Sequence, residues 1–331
     1  MALNNNRDRQ RTRVVYVPVN TGGGSGSQAK IKVGENGLKF GNSTFTEIPQ
    51  GLDFSDVTDM TNMFTYCPSL TTVSGLDTSK VTNMTKMFAS CASLTSVSPM
   101  NTSQVTTMKD MFYNCSSLAT VPPMDTSQVT TMEDMFMYCG SFSNMPAIDT
   151  SRVTNMMGMF LSCWSLTTIP PLDTSKVIDM GSMFSNCSDL TTVPEMDTSQ
   201  VTNMGAMFDW CQSLTTIPEM DTSQVTHMSY MFNQCPLLTT VPPMNTSKVT
   251  EMENMFTGCW SLTNLGGFVG LKCNLDLSAS SLITHESIMN VINKAADVTA
   301  SPATLTLGST NLAKLTDEEK SIATNKGWTL A

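Results

Sequence analysis

Nine cysteines, at 67, 91, 115, 139, 163, 187, 211, 235 and 259, stand 24 residues apart without one insertion or deletion. Other residues keep the same register. Val57 recurs to Val249, Met60 to Met252, the Met63–Phe64 pair to Met255–Phe256, and Leu70 to Leu262 with Phe142 as the one departure. The shared unit reads D-T-S-x-V-T-x-M-x-x-M-F-x-x-C-x-S-L-T-T-V/I-P-x-M. A single turn of chain cannot bury its apolar side alone, so apolar residues held in phase at a fixed period make each unit one coil of a stacked superhelix. Residues 53–265 therefore read as nine coils of a repeat solenoid, and the two or three domains that 331 residues would ordinarily suggest do not apply.

Within a coil, L-T-T-V/I-P has the β-branched content of a short strand, and the proline ends its pairing. M-x-x-M-F-x-x-C spaces its apolar residues by three and four, as an inward-facing helical or 3-10 turn does. The pattern predicts short stacked parallel β-strands about 4.8 Å apart, so nine coils extend on the order of 43 Å. Most of the 28 methionines fall at inward positions, where a flexible thioether fills the gap between strand and turn.

The runs Asp77-Thr78-Ser79-Lys80-Val81-Thr82-Asn83-Met84 and Met87-Phe88, followed by Cys91 and Ser93-Leu94-Thr95, resemble the BspA-like leucine-rich repeats, also found in mycoplasma surface lipoproteins. The resemblance covers about two thirds of the chain and implies a leucine-rich repeat solenoid. One departure matters. The link from strand to D-T-S is only Pro-Pro-Met, Pro-Glu-Met or similar, shorter than in the usual family unit, so the coil is tighter and its curvature is expected to differ.

The net charge of −10 is unevenly placed: residues 1–52 carry +4 and residues 53–265 carry −13. An acidic body lacks the clustered Lys and Arg that phosphate contacts require, so no nucleic-acid partner is expected. The first residues hold no apolar run with a small-residue cleavage site. No stretch approaches the roughly 20 apolar residues of a membrane span, so cytosolic synthesis without membrane insertion is expected. Catalysis finds no foothold either. There is no G-x-S-x-G elbow and no phosphate loop, and His227 and His285, the only histidines, have no evident nucleophile partner. No enzyme activity, catalytic residue, cofactor or metal site is expected.

Stacking turns each consensus residue into a ladder. Asp53, Asp77, Asp125, Asp149, Asp173, Asp197 and Asp221, with Asn101 and Asn245, make one. Such a row could bind calcium, or each side chain could accept backbone N–H groups in an Asx-turn, a role that Asn fills equally well. The cysteine ladder could pair into disulfides, but nine rungs cannot pair completely and no C-x-x-C exists to hold zinc. Buried, reduced thiols are the expectation, with Cys273 as a tenth in the C-terminal cap.

Four segments follow. Residues 1–28 form a basic arm, in which Arg7, Arg9, Arg11 and Arg13 precede an apolar strand containing Val15 and Val17, and then a Gly/Ser linker. The arm could add a strand to a partner's sheet edge, or be an ordinary frayed terminus. Residues 29–52 read as a β-hairpin cap, with Ile31-Lys32-Val33 and Leu38-Lys39-Phe40 around Glu35-Asn36-Gly37. The solenoid occupies 53–265. Residues 266–331 read as an α+β C-terminal cap with strands at Leu275–Leu277 and Thr304–Leu307, a helix from Thr284 to Ala296, and a Thr316/Glu319 capping box. This ending resembles segments that close BspA-like proteins of gut bacteria and their phages.

Function should lie where the register varies. Tyr66, Tyr138 and Trp210 precede a repeat cysteine, Trp164 and Trp260 follow one, and Tyr113 and Tyr230 occupy other variable positions. These rings suit recognition of a host-surface glycan or protein, or they cover neighbouring coil edges. The favoured expectation is a receptor-binding module of a bacteriophage virion appendage (fibre, tail or head decoration). It would be made in the host cytoplasm and anchored to other virion proteins through residues 1–20. The alternatives are a bacterial cell-surface adhesin and a purely structural decoration protein, with homo-oligomerisation open.

Overall fold

The computed structural model describes residues 31–32 and 39–331. The candidate anchoring residues Arg7, Arg9, Arg11, Arg13, Val15 and Val17 lie outside the described residues.

Equivalent residues 24 apart sit over one another. The residue between Val-Thr and Met bridges in parallel to its counterpart in the next coil, from Asp59↔Asn83 through to His227↔Glu251 without a gap. The threonine before it donates its N–H to the same threonine one coil back, as in Thr82 N to Thr58 O at 2.8 Å. The threonine hydroxyl repeats the contact, as in Thr106 Oγ1 to Thr82 O at 3.1 Å. This continuous ladder falls outside the segment expected to form it.

The L-T-T-V/I segment, expected to supply the strands, pairs only intermittently. Before it, β1 (Ile31–Lys32) runs parallel to β2 (Leu52–Asp53) in the link to the first coil, and within it β3 (Thr72–Val73) runs parallel to β4 (Ser96–Val97). At the far end, β5 (Thr240–Val241) and β6 (Met244–Asn245) pair with β7 (Asn264–Leu265) and β8 (Phe268–Val269). The cause is the residue after the strand. Ser98 and Gly266 have an N–H, and donate it to Val73 O at 2.8 Å and Val241 O at 3.0 Å. The corresponding residues of the six intervening coils are prolines, from Pro122 to Pro242, which have no N–H to donate.

The M-x-x-M-F-x-x-C segment is a chain of tight turns and not the helical or 3-10 piece its spacing suggested. Met87 N, Ala89 N and Cys91 N bond to carbonyls three residues back in their own coil. Met84, Lys86, Phe88 and Ser90 instead donate to the next coil, at Thr107, Lys109, Met111 and Tyr113. Two residues per coil, five and one before the cysteine, have φ near +60°. Each left-handed residue breaks the helix and swings alternate N–H groups along the solenoid axis.

Inside, the repeat phenylalanines form one stack. Consecutive rings from Phe64 to Phe256 lie 5.6–5.8 Å apart and 3–16° from parallel, all fully buried. Phe142, the exception to the leucine series, packs on Phe136 at 4.3 Å. From Phe64 to Phe232 each repeat phenylalanine carbonyl accepts a thiol from the following coil, as in Cys163 Sγ to Phe136 O at 3.1 Å. All ten cysteines are free.

The start of the solenoid differs from the hairpin reading. Ile31–Lys32 takes Leu52–Asp53 as its parallel partner, and the turn at Glu35–Gly37 lies outside the described residues. Phe40 stacks on Phe64 at 5.5 Å, Phe40 N donates to Met63 O, and Asn42 takes the left-handed slot at φ 64°. Phe40 and its neighbours thus continue the repeat as half a coil and cover the end of the ring stack.

At the other end, β9 (Leu275–Asp276) leads into α1 (His285–Lys294), whose Ile288, Val291 and Ile292 are buried. β10 (Ala303–Thr306), α2 (Gly308–Leu312), α3 (Asp317–Asn325) and β11 (Trp328–Leu330) follow, and the strands make a parallel sheet in the order β11-β10-β9. The Thr316/Glu319 capping box starts α3. Lys326 Nζ donates to the carbonyls of Ile292, Asn293 and Ala295, placing a cation where the dipole of α1 is negative.

Candidate functional site

The left-handed slot before each cysteine holds Tyr66, Ser90, Asn114, Tyr138, Ser162, Asn186, Trp210, Gln234 and Gly258. Their N–H groups run as one ladder along the axis, Tyr66 to Ala89 O, Ser90 to Tyr113 O and onward to Gln234 to Thr257 O. Gly and Asn suit this backbone; a bulky ring there costs on the order of 1 kcal/mol. The fold therefore gives no reason for aromatics in that slot. Tyr66 is 59% exposed, and Tyr138 and Trp210 also face solvent.

The other candidates are placed differently. Tyr230 occupies the second left-handed slot, at φ 61°, and is exposed. Tyr113 is half-buried and meets Tyr138 edge-on at 5.7 Å. Trp164 lies flat over Gly140 of the previous coil, where an added Cβ would sit 2.7 Å from the indole. Trp260, across the cysteine corner from the left-handed slot, is 60% exposed. The structure thus gathers Tyr66, Tyr113 and Tyr138 on one edge, while Trp164 and Trp260 flank it on the other side of the buried cysteines.

A groove of about 410 Å³ opens on this edge between Tyr66 and Tyr113, lined also by Asn62, Thr65, Lys86, Ala89, Ser90 and Asp110. Asp110 is buried, and desolvation pushes its carboxyl above the ordinary range against the pull of Lys86, 3.8 Å away. Next along the same slot, burial and then the Asp110 charge push Asp134 up to about 6. These residues escaped sequence reasoning because their burial is a property of the stack. The Tyr-Ser-Asn recurrence along the other slot, one residue before each cysteine, was visible in the sequence and would have pointed to this edge.

The aspartate ladder makes Asx-turns. Ser79, Ser127, Ser151, Ser175, Ser199 and Ser223 donate their N–H to the carboxylate two residues back at 2.9–3.1 Å, and Asn101 and Asn245 accept in the same way. The serine hydrogen bonds hold Asp77, Asp125, Asp149, Asp173 and Asp197 below the ordinary carboxylate range. Among the described residues, no three His, Cys, Asp or Glu side chains are disposed to hold a metal ion. Burial pushes the thiols the other way, Cys115 and Cys259 up to about 12.

The family described as a Mycoplasma protein of unknown function, DUF285, matches residues 38–145, 119–217 and 191–268. The chain belongs to this family. Its overlapping matches run together from 38 to 268, so the DUF285 pattern spans the solenoid and its entry half-coil. Three similar solved structures are leucine-rich repeat proteins. One from T. pallidum is 18% identical, covering 65% of this chain and 76% of its own (TM-score 0.33). A leucine rich cell surface protein from Faecalibacterium prausnitzii is 21% identical, with coverages of 65% and 78% (TM-score 0.27). One from Bacteroides ovatus is 14% identical, with coverages of 93% and 97% (TM-score 0.25). The solenoid rests on its own ladders of bridges and stacked rings. Among curated proteins, none matches the chain. No helix among the described residues is long and apolar enough to cross a membrane.

Proposed function

We propose that this DUF285 chain is a non-enzymatic binding module displayed on a bacterial cell surface, where its aromatic edge recognises another surface. The observation that carries the reading is the exposure of Tyr66, Tyr138 and Trp210 at a backbone conformation that disfavours them. The left-handed backbone of this slot gives these rings no folding advantage. Large amphipathic rings exposed on a rigid edge suit recognition, where a flat apolar body and a polar tip both contribute.

The family is bacterial by description, which favours the cell-surface reading over the virion appendage. The arm that motivated the virion reading lies outside the described residues. Two measurements test the proposal. Antibody labelling and protease shaving of intact source bacteria should find the chain outside, and the full-length protein should adhere to whole target cells. Replacing Tyr66, Tyr138 and Trp210 together by Ser, Ser and Gln should abolish adherence without unfolding the solenoid. Unchanged adherence would move the site off this edge, and a chain sealed inside the cell would end the surface reading.

A further inference from the structure

Along the left-handed slot before the cysteine an aromatic stands at every third coil: Tyr66-Ser90-Asn114 recurs as Tyr138-Ser162-Asn186, and Trp210-Gln234-Gly258 keeps the aromatic. The recurrence is also structural. Asn114 Nδ2 donates to Ser90 Oγ at 3.5 Å, and Asn186 Nδ2 donates to Ser162 Oγ at 3.1 Å, the same contact three coils on. In the third set Gln234 lies over Gly258, where an added Cβ would touch its amide at 2.9 Å. Between Tyr138 and Trp210 the slot falls away, with Ser162 buried and Asn186 half-buried, and between Tyr66 and Tyr138 it holds half-buried Ser90 and exposed Asn114. The edge is thus a shallow track with an aromatic platform at every third coil.

We propose that this track binds a neutral, linear polysaccharide lying parallel to the solenoid axis, a proposal that rests on the recognition reading above. All nine residues of the slot are uncharged, although the body around them is acidic. Hydroxyls and amides on the track match the hydroxyls of a sugar ring as donor and acceptor, and the aromatic faces match its C–H faces. The phenylalanine rings two residues before the slot advance 5.6–5.8 Å per coil, close to the advance of one ring in an extended glycan, so a chain of about four rings reaches from one platform to the next. Edge-on contact from Tyr113 steadies the middle platform, Tyr138.

Full-length protein is titrated calorimetrically with neutral linear glucan, mannan and N-acetylglucosamine oligosaccharides of about two to eight rings. The same series is run on a double variant, Asn114→Tyr with Tyr138→Asn, which moves the middle platform by one coil at constant composition. Both residues face solvent, and circular dichroism verifies that the variant folds. Affinity for one of the series should rise by on the order of tenfold when the chain lengthens from about three to about four rings, and the double variant should lose that step. A variant that binds every length as wild type does overturns the proposal. So does a protein that adheres to cells but binds none of the oligosaccharides, and that result leaves the adhesion reading standing. Failure to adhere to cells and to bind glycan removes both.

Discussion

Replacing Phe160 by Ala should cut the solenoid near its middle. Phe160 is fully buried, with Phe136 and Phe184 each 5.8 Å away and within 6° of parallel. Deleting a buried phenylalanine side chain costs roughly 3–5 kcal/mol, and each stacked pair adds about 0.5–1.5 kcal/mol beyond area burial. Two stacked faces put Phe160→Ala at the upper end, about 4–5 kcal/mol. Phe256→Ala supplies the comparison. It has one stacked neighbour, Phe232 at 5.7 Å, and one tilted by 45°, Phe268 at 6.0 Å, so its cost should be about 1 kcal/mol lower. Urea unfolding followed by far-ultraviolet circular dichroism measures both. Each coil touches only its neighbours, so Phe160→Ala should also turn one transition into two. The reasoning fails if Phe160→Ala costs less than about 2 kcal/mol, or if Phe256→Ala costs as much.

Three further outcomes follow from the ladders. Asp134, ordinarily near 3.8 and raised to about 6, binds its proton more tightly when folded; its contribution is fully present below about 4 and is lost as pH rises through about 6. Such a shift is worth roughly 3 kcal/mol for a sealed group. Asp134 is half-buried, so screening leaves on the order of 1 kcal/mol, which Asp134→Asn should recover at pH 7 in thermal melts but not at pH 4. Asp173 has the opposite sign: its carboxylate is held low by Ser175, so its contribution is present above the unfolded value and is lost as pH falls. Asp173→Ala should lower the melting temperature while Asp173→Asn should not, and calcium should leave it unchanged; a rise on adding calcium would contradict the Asx-turn assignment. Finally, Cys115, Cys139, Cys163 and Cys187 should resist a thiol reagent until urea unfolds the chain, with half-buried Cys273 reacting earlier, and equal rates would contradict their burial.

The stacking axis was legible because a 24-residue period without gaps leaves apolar Val, Met, Phe, Cys and Leu one way to be buried. The Asx-turns were among the readings left open, and the structure decided for them because a side chain two residues before an N–H is a local arrangement. The helical reading of M-x-x-M-F-x-x-C went wrong because periodicity of three and four describes inward-facing residues in a chain of tight turns as well as in a helix. At the entry to the solenoid the structure pairs Ile31–Lys32 in parallel with Leu52–Asp53 and lays Phe40 on Phe64, while the turn of the hairpin reading lies outside the described residues. The aromatic candidates were legible as variable positions, but not as one track, because sequence offsets do not say which rings share an edge.

The sequence alone determined the number of residues per coil and which residues face inward, since both follow from spacing and apolarity. Where the strands pair was not determined by it: the continuous ladder runs from Asp59↔Asn83 to His227↔Glu251, outside the L-T-T-V/I segment. The tertiary structure decided what spacing cannot encode. It set the left-handed backbone at two points per coil, which turns N–H groups along the axis, and the burial that raises Asp110 and Asp134. It also aligned Tyr66, Tyr138 and Trp210 on one exposed edge. Those properties depend on what the neighbouring coil places against each residue, and that exists only after the coils have stacked.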